Sequence, residues 1–146
     1  MKHFRFRWSL SLLLSPFLLY ILAGHADGDT APAAEKPPPF KAANIDYYPA
    51  QAKRLGLTGR VGLQFSIDAQ GRAQNIVILD SAGRVLDDHA KTLLSKGHFD
   101  VPSDWGSTGG PNRRYTWGVI YELTNKPKVP PFPDDRPVMV ITGSGL

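Results

Sequence analysis

Cysteine is absent from all 146 residues, which excludes a disulfide framework and any thiolate metal site. A domain of this composition has to be held together by its apolar core. Histidine is scarce too. Of the 4 in the chain, only His89 and His98 lie beyond the first 26 residues, so base-assisted nucleophilic chemistry and histidine metal sites have few participants. Asp87-Asp88-His89 sets two acids beside a histidine, but consecutive helical residues diverge by about 100° and do not converge on one ion. The run reads as the exposed start of a helix. No serine has a base at a spacing that suggests a triad, and no Lys-Ser or Lys-Thr follows the glycines of 103–112 to make a phosphate loop. The composition points to a protein that is not an enzyme and takes no cofactor.

A charge excess of one sign is missing as well. The formal charge is +4, from 17 Lys and Arg against 13 Asp and Glu, yet Lys2, Arg5 and Arg7 all precede an apolar run from Trp8 to Ala23. Without residues 1–26, 14 basic side chains face 13 acidic ones. The Arg113-Arg114 pair comes nearest to a basic cluster in that remainder, and it is too little for a nucleic-acid surface. The basic start, the apolar run and the small residues of Gly24-His25-Ala26 read as a secretory signal over residues 1–26. A retained anchor through residues 4–23 is the alternative, since about 20 apolar residues cross the hydrocarbon, although Pro16 interrupts it. Under either reading the rest of the chain is expected in the periplasm.

Residues 27–43 carry Ala31-Pro32-Ala33-Ala34-Glu35-Lys36-Pro37-Pro38-Pro39. Proline fixes φ and removes donors, so this stretch is expected to be a polyproline-type spacer whose reach is on the order of 50 Å. Residues 44–125 carry the periodic patterns of one small domain. Residues 126–146 form a proline-rich tail in which Pro137 to Thr142 reads as a short edge strand.

Within the domain, Pro49 opens a short helix and Gly56 stands where a helix stop needs positive φ. Val61, Leu63, Phe65 and Ile67 then alternate with Gly62, Gln64 and Ser66 as a strand with one apolar face. Asp68 to Arg72 is a hairpin loop leading into the strand Asn75 to Leu79. Leu86, Ala90, Leu93 and Leu94 form one stripe of a second helix that starts near Leu86 and stops at Gly97. The last strand runs from Arg114 to Thr124, with Tyr115, Trp117, Val119, Tyr121 and Leu123 on one face. Trp105, in the glycine-rich loop, is the aromatic expected to be exposed.

In their order, Tyr48-Pro49, Gly59-Arg60-Val61, Asp68-Ala69-Gln70-Gly71, the second helix, Phe99 with Pro102, and the final strand resemble the C-terminal domain of the TonB energy-transducer family. The resemblance implies an α+β fold: a three-stranded antiparallel sheet with two helices packed on one face. It further implies binding of an extended segment of a TonB-dependent outer-membrane receptor, or another extended peptide, by strand addition to a sheet edge. Carried onto this chain, that edge is the strand with Tyr115, Trp117, Gly118, Val119, Ile120, Tyr121, Glu122 and Leu123. Asp46, Tyr47 and Tyr48 would be further receptor contacts. An inner-membrane motor complex would be a partner if the leader is kept as an anchor, although the leader has Ser9, Ser11 and Ser15 and no histidine within the run.

A different reading stands beside this one. A structural or self-associating envelope protein would use the same edge for a second copy, as a homodimer, or would close it with its own tail. Val138 to Thr142, paired against Tyr115 to Leu123, would fill the site a receptor peptide needs.

Overall fold

A computed structural model of the protein describes residues 35–42 and 47–145, all within one compact unit that spans residues 31–146. Strand β1 is Phe40–Lys41, helix α1 is Ala50–Arg54, and strands β2 and β3 are Gly59–Ile67 and Ala73–Asp80. Helix α2 is Arg84–Lys96, strand β4 is His98–Phe99, strand β5 is Tyr115–Leu123 and strand β6 is Val138–Gly143. α1 follows Pro49 as expected, and α2 ends before Gly97 as expected but begins at Arg84, two residues earlier than its apolar stripe indicated. Gly56 ends the turn after α1 at φ +61°, a conformation that costs a side-chain-bearing residue about 1 kcal/mol or more.

Strand order in the main sheet is β3-β2-β5-β6. β2 pairs antiparallel with β3 and with β5, and β5 pairs parallel with β6. The α+β class is as expected, but the sheet is not the three-stranded antiparallel one: the tail adds a fourth strand and makes it mixed. A parallel neighbour cannot follow through a hairpin; it needs a crossover of a dozen residues or so. Residues 124–137 supply it, and their prolines lack the N–H that would draw them into a ladder of their own. A second, two-stranded sheet joins β1 to β4, with Phe40 opposite Phe99.

Two layers cover the main sheet. On one face Val61, Leu63, Phe65 and Ile67 of β2 meet Tyr115, Trp117, Val119, Tyr121 and Leu123 of β5, beneath Leu86, Ala90, Leu93 and Leu94 of α2. All four α2 residues are fully buried. At roughly 1.5–3 kcal/mol for each large apolar side chain removed from water, this layer dominates stability. The opposite face is crossed by the connection from β5 to β6, which covers positions that alternation turns away from the helices.

Candidate peptide-docking edge and the tail that covers it

One side of β5 pairs with β2 from Tyr115 to Tyr121, with Gly59 opposite Tyr121 and Phe65 opposite Tyr115. The other side is the edge on which a guest strand would add. It is taken by β6, with Gly118 opposite Val138 and Leu123 opposite Gly143. Hydrogen bonds from Gly118 N to the Pro137 carbonyl at 2.9 Å and from Thr124 N to the Gly143 carbonyl at 3.0 Å close the two ends. At the start of β5, Glu35 makes an isolated parallel bridge with Tyr115. Of the edge expected from the sequence, Gly118 to Leu123 are thus paired with the chain's own tail, while Tyr115 to Trp117 lie beyond β6.

The side chains of that strand divide by alternation. Tyr115, Trp117, Val119, Tyr121 and Leu123 point into the helix-covered core, so they are not available to a guest. Burial drives the Tyr121 hydroxyl pKa far above the ordinary phenol range, with Tyr48 and Asp87 adding to it, and the hydroxyl lies 2.8 Å from His89 Nδ1. Gly118 and Glu122 meet the crossing tail, at Phe132 and at Lys128 and Val129 respectively. Of the other candidate contacts, Tyr48 is buried and donates its hydroxyl to the Leu57 carbonyl. Tyr47 is 64% exposed, and Asp46 lies outside the described residues.

Four groups of contacts hold the tail. Phe132 lies against Gly118, where a Cβ would run into its ring, and two guanidinium groups lie over the phenyl, Arg136 at 4.4 Å and Arg60 at 5.3 Å. Arg136, with a side chain only 9% exposed, bonds Asp80 at 2.7 Å and Asp134 at 2.6 Å. Arg60 donates to the Pro131 carbonyl at 2.5 Å. Glu122 accepts from Lys128 Nζ at 2.8 Å and from Val129 N at 3.3 Å, and the Lys128 bond holds its carboxyl below the usual range. Likewise the Arg136 fork holds Asp134 low.

None of Phe132, Arg136 or Asp80 stood out in the sequence. One signal was present. Gly62 and Gly118 lie directly opposite each other on β2 and β5, and glycine on the same face of neighbouring strands marks a place where another layer comes close. There a side chain at position 62 would strike Asp80 and Arg136.

With β5 enclosed, the strands at the ends of the order are β3 and β6. Val77 and Leu79 of β3 and Val138 and Val140 of β6 are exposed large apolar residues beside those ends. Among the described residues there is no group of three acidic, cysteine or histidine side chains able to hold a metal ion. No helix among them is long and apolar enough to cross a membrane.

Fold and site together define a small α+β domain in which β5 lies between β2 and the chain's own C-terminal strand. Comparison with known proteins places it further: residues 46–107 match the model of the Gram-negative bacterial TonB protein C-terminal family. Over that segment the chain is similar to that family, in line with the resemblance its motifs carried. It is 36% identical over 55 residues to Protein TonB of Yersinia enterocolitica. That alignment takes in 37% of this chain and 22% of the relative, so the chain spans about a fifth of the length of the curated protein it matches. No solved structure matches. Both the crossover that carries Phe132 and Arg136 and strand β6 lie beyond the matched segment.

Proposed function

We infer that this is a periplasmic TonB-like peptide-binding module in receptor-linked transport, and that it binds an extended receptor segment by strand addition at β5 after β6 has moved aside. The observation that carries the reading is the tail itself: β6 makes, from within the chain, the pairing that a guest strand would make. Because every edge group from Gly118 to Leu123 faces β6, no guest can join β5 while the tail is seated. Binding is therefore an exchange of one strand for another, and its net free energy is the guest's pairing less the docking free energy of the tail.

A second reading is favoured by the same observation. Taken as permanent, the β5–β6 pairing describes an envelope protein whose edge is closed for good, a usual protection against edge-to-edge association. The two readings separate in a titration of synthetic peptides, taken from the N-terminal segments of the host's outer-membrane receptors, against the full chain and against the chain ending at Asn125. Exchange requires tighter binding by the shortened chain to at least one peptide. Absence of binding by both forms, with the shortened form still folded by circular dichroism, leaves the closed-edge reading.

A further inference from the structure

Seating the tail moves the end of the sheet from β5 to β6. A parallel ladder engages alternate residues of each strand. Because Gly118 N donates to the Pro137 carbonyl and Thr124 N to the Gly143 carbonyl, residues 137, 139, 141 and 143 are the ones that bond β5. The backbone N–H and C=O of Val138, Val140 and Thr142 therefore point outward, and among the described residues no strand pairs with that side. Exposed edges are commonly blunted by a charge, a proline or a bulge. The opposite end of the sheet is treated so: the ladder of β3 slips at two places, Asn75 sits at φ +52°, and Asp80 ends the strand against Arg136. β6 reads Val-Met-Val-Ile-Thr-Gly, without a charge or a proline, and its register with β5 runs on without a slip. Val138 and Val140, the latter 56% exposed, stand out from it, while Ile141 packs into the core. A regular, uncharged edge rich in β-branched residues is a template for pairing.

The strand also selects its guest. Turned antiparallel about Val140, it is its own complement: Val140 meets Val140 of a second copy, Val138 meets Thr142, and each such pair exchanges two hydrogen bonds. The same register carries residues 135 and 136 of one copy alongside 145 and 144 of the other. At that far end Lys53 Nζ donates to Ser144 Oγ at 3.0 Å. Asp135 is exposed, and no ion pair among the described residues involves it. The two-fold arrangement thus brings an unengaged carboxylate beside the partner's ammonium twice, once at each end of the paired strands. An unrelated strand would gain the backbone bonds without this match.

We propose that the outer edge of β6 joins two copies of this chain, strand against strand about Val140, doubling the four-stranded sheet. This contact keeps β6 on β5, so it differs from a dimer through the β5 edge and does not rest on strand exchange. An edge of this length buries far less than a standard interface, which sets the dissociation constant on the order of 10–100 μM. Sedimentation equilibrium of the full chain over a concentration series should show that equilibrium, and the amides of Val138, Val140 and Thr142 should exchange more slowly as concentration rises. Val140→Pro removes the central outward N–H and spares the bonds to β5, since proline is tolerated where the N–H faces solvent. It should abolish association while Gly118 and Thr124 keep their protection. Asp135→Lys should weaken association about three- to tenfold, and adding Lys53→Asp should restore it; these reversals decide the matter even if proline unseats β6. A chain monomeric at about 0.5 mM, several times the expected constant, would overturn the proposal, as would association untouched by Val140→Pro or no recovery in the double charge reversal. So would protection of the Val140 amide that comes only with a receptor-derived peptide, which would give the edge to a foreign strand.

Discussion

Replacing Phe132 by alanine should release the tail while leaving the domain folded. The ring is nearly buried against Gly118 and meets the guanidinium groups of Arg60 and Arg136. Truncation of a buried phenylalanine costs about 3–5 kcal/mol in a core. Here the ring is roofed by a single strap that can settle, so about 2–4 kcal/mol is expected, including about 0.5–1 kcal/mol for each guanidinium contact. If β6 opens as a unit of its own, this loss appears as faster exchange of the amides that β6 protects, roughly 30- to 1,000-fold at about 1.4 kcal/mol per decade. The amides to read are Gly118 and Thr124, which donate to Pro137 and Gly143. Amides in the ladder between β2 and β3 should stay near their original rates. Equal acceleration throughout the sheet would mean that tail and domain unfold together, and unchanged rates at Gly118 and Thr124 would mean that Phe132 does not hold the tail. Either result refutes the idea of a separately detachable strand.

Arg136→Gln should loosen the same strap by about 1–2 kcal/mol, because its partners Asp80 and Asp134 are about half exposed and water screens part of the attraction. Denaturant melts at low and high salt check this: the difference from the parent should shrink in high salt, and a salt-independent difference contradicts it. Acid should act on the tail as well. Lys128 and Arg136 hold the Glu122 and Asp134 carboxyls below their ordinary values, so the folded state binds fewer protons than the unfolded chain. Their contribution is complete above the ordinary carboxylate range, about pH 4–4.5, and fades as pH falls through the lowered folded values. Protection of Thr124 relative to core amides, corrected for intrinsic exchange, should decline in that acidic window and hold steady from pH 5 to 8. Substituting alanine for Gly118 places a methyl against the Phe132 ring and should reproduce Phe132→Ala in the same exchange experiment.

Local periodicity made much of this fold legible. The stripe Leu86, Ala90, Leu93 and Leu94 is buried as a 3.6 period requires, and the apolar faces of β2 and β5 follow from period two. The strand in the tail was legible from its β-branched run behind Pro137. Its parallel direction was not, because direction is decided by how residues 124–137 cross the sheet. That crossing rests on pairs far apart in sequence, such as Arg136 with Asp80 and Phe132 with Gly118, which leave no repeat to read. Strands β1 and β4 have two residues each, too few for any period, and Phe40 looked like part of a spacer. Trp105 was expected outside because glycines surround it. The structure buries it instead, stacked on Tyr115 with ring centres 6.2 Å apart and bonded to the Ile67 carbonyl. As for the site, the sequence pointed to the β5 edge and to the strand able to fill it, while the side chains that hold that strand were hidden.

The absence of native cysteine allows the central claim to be tested with one engineered disulfide. Ile120 and Val140 are direct partners across β5 and β6, and paired strands bring Cα atoms within the range a disulfide spans. The measurement is the affinity for a receptor-derived peptide of the doubly substituted chain, Ile120→Cys with Val140→Cys, before and after reduction. If β6 is a removable occupant of the docking edge, the oxidised chain binds at least tenfold more weakly and reduction restores binding. Equal affinity in the two states would contradict strand exchange at β5.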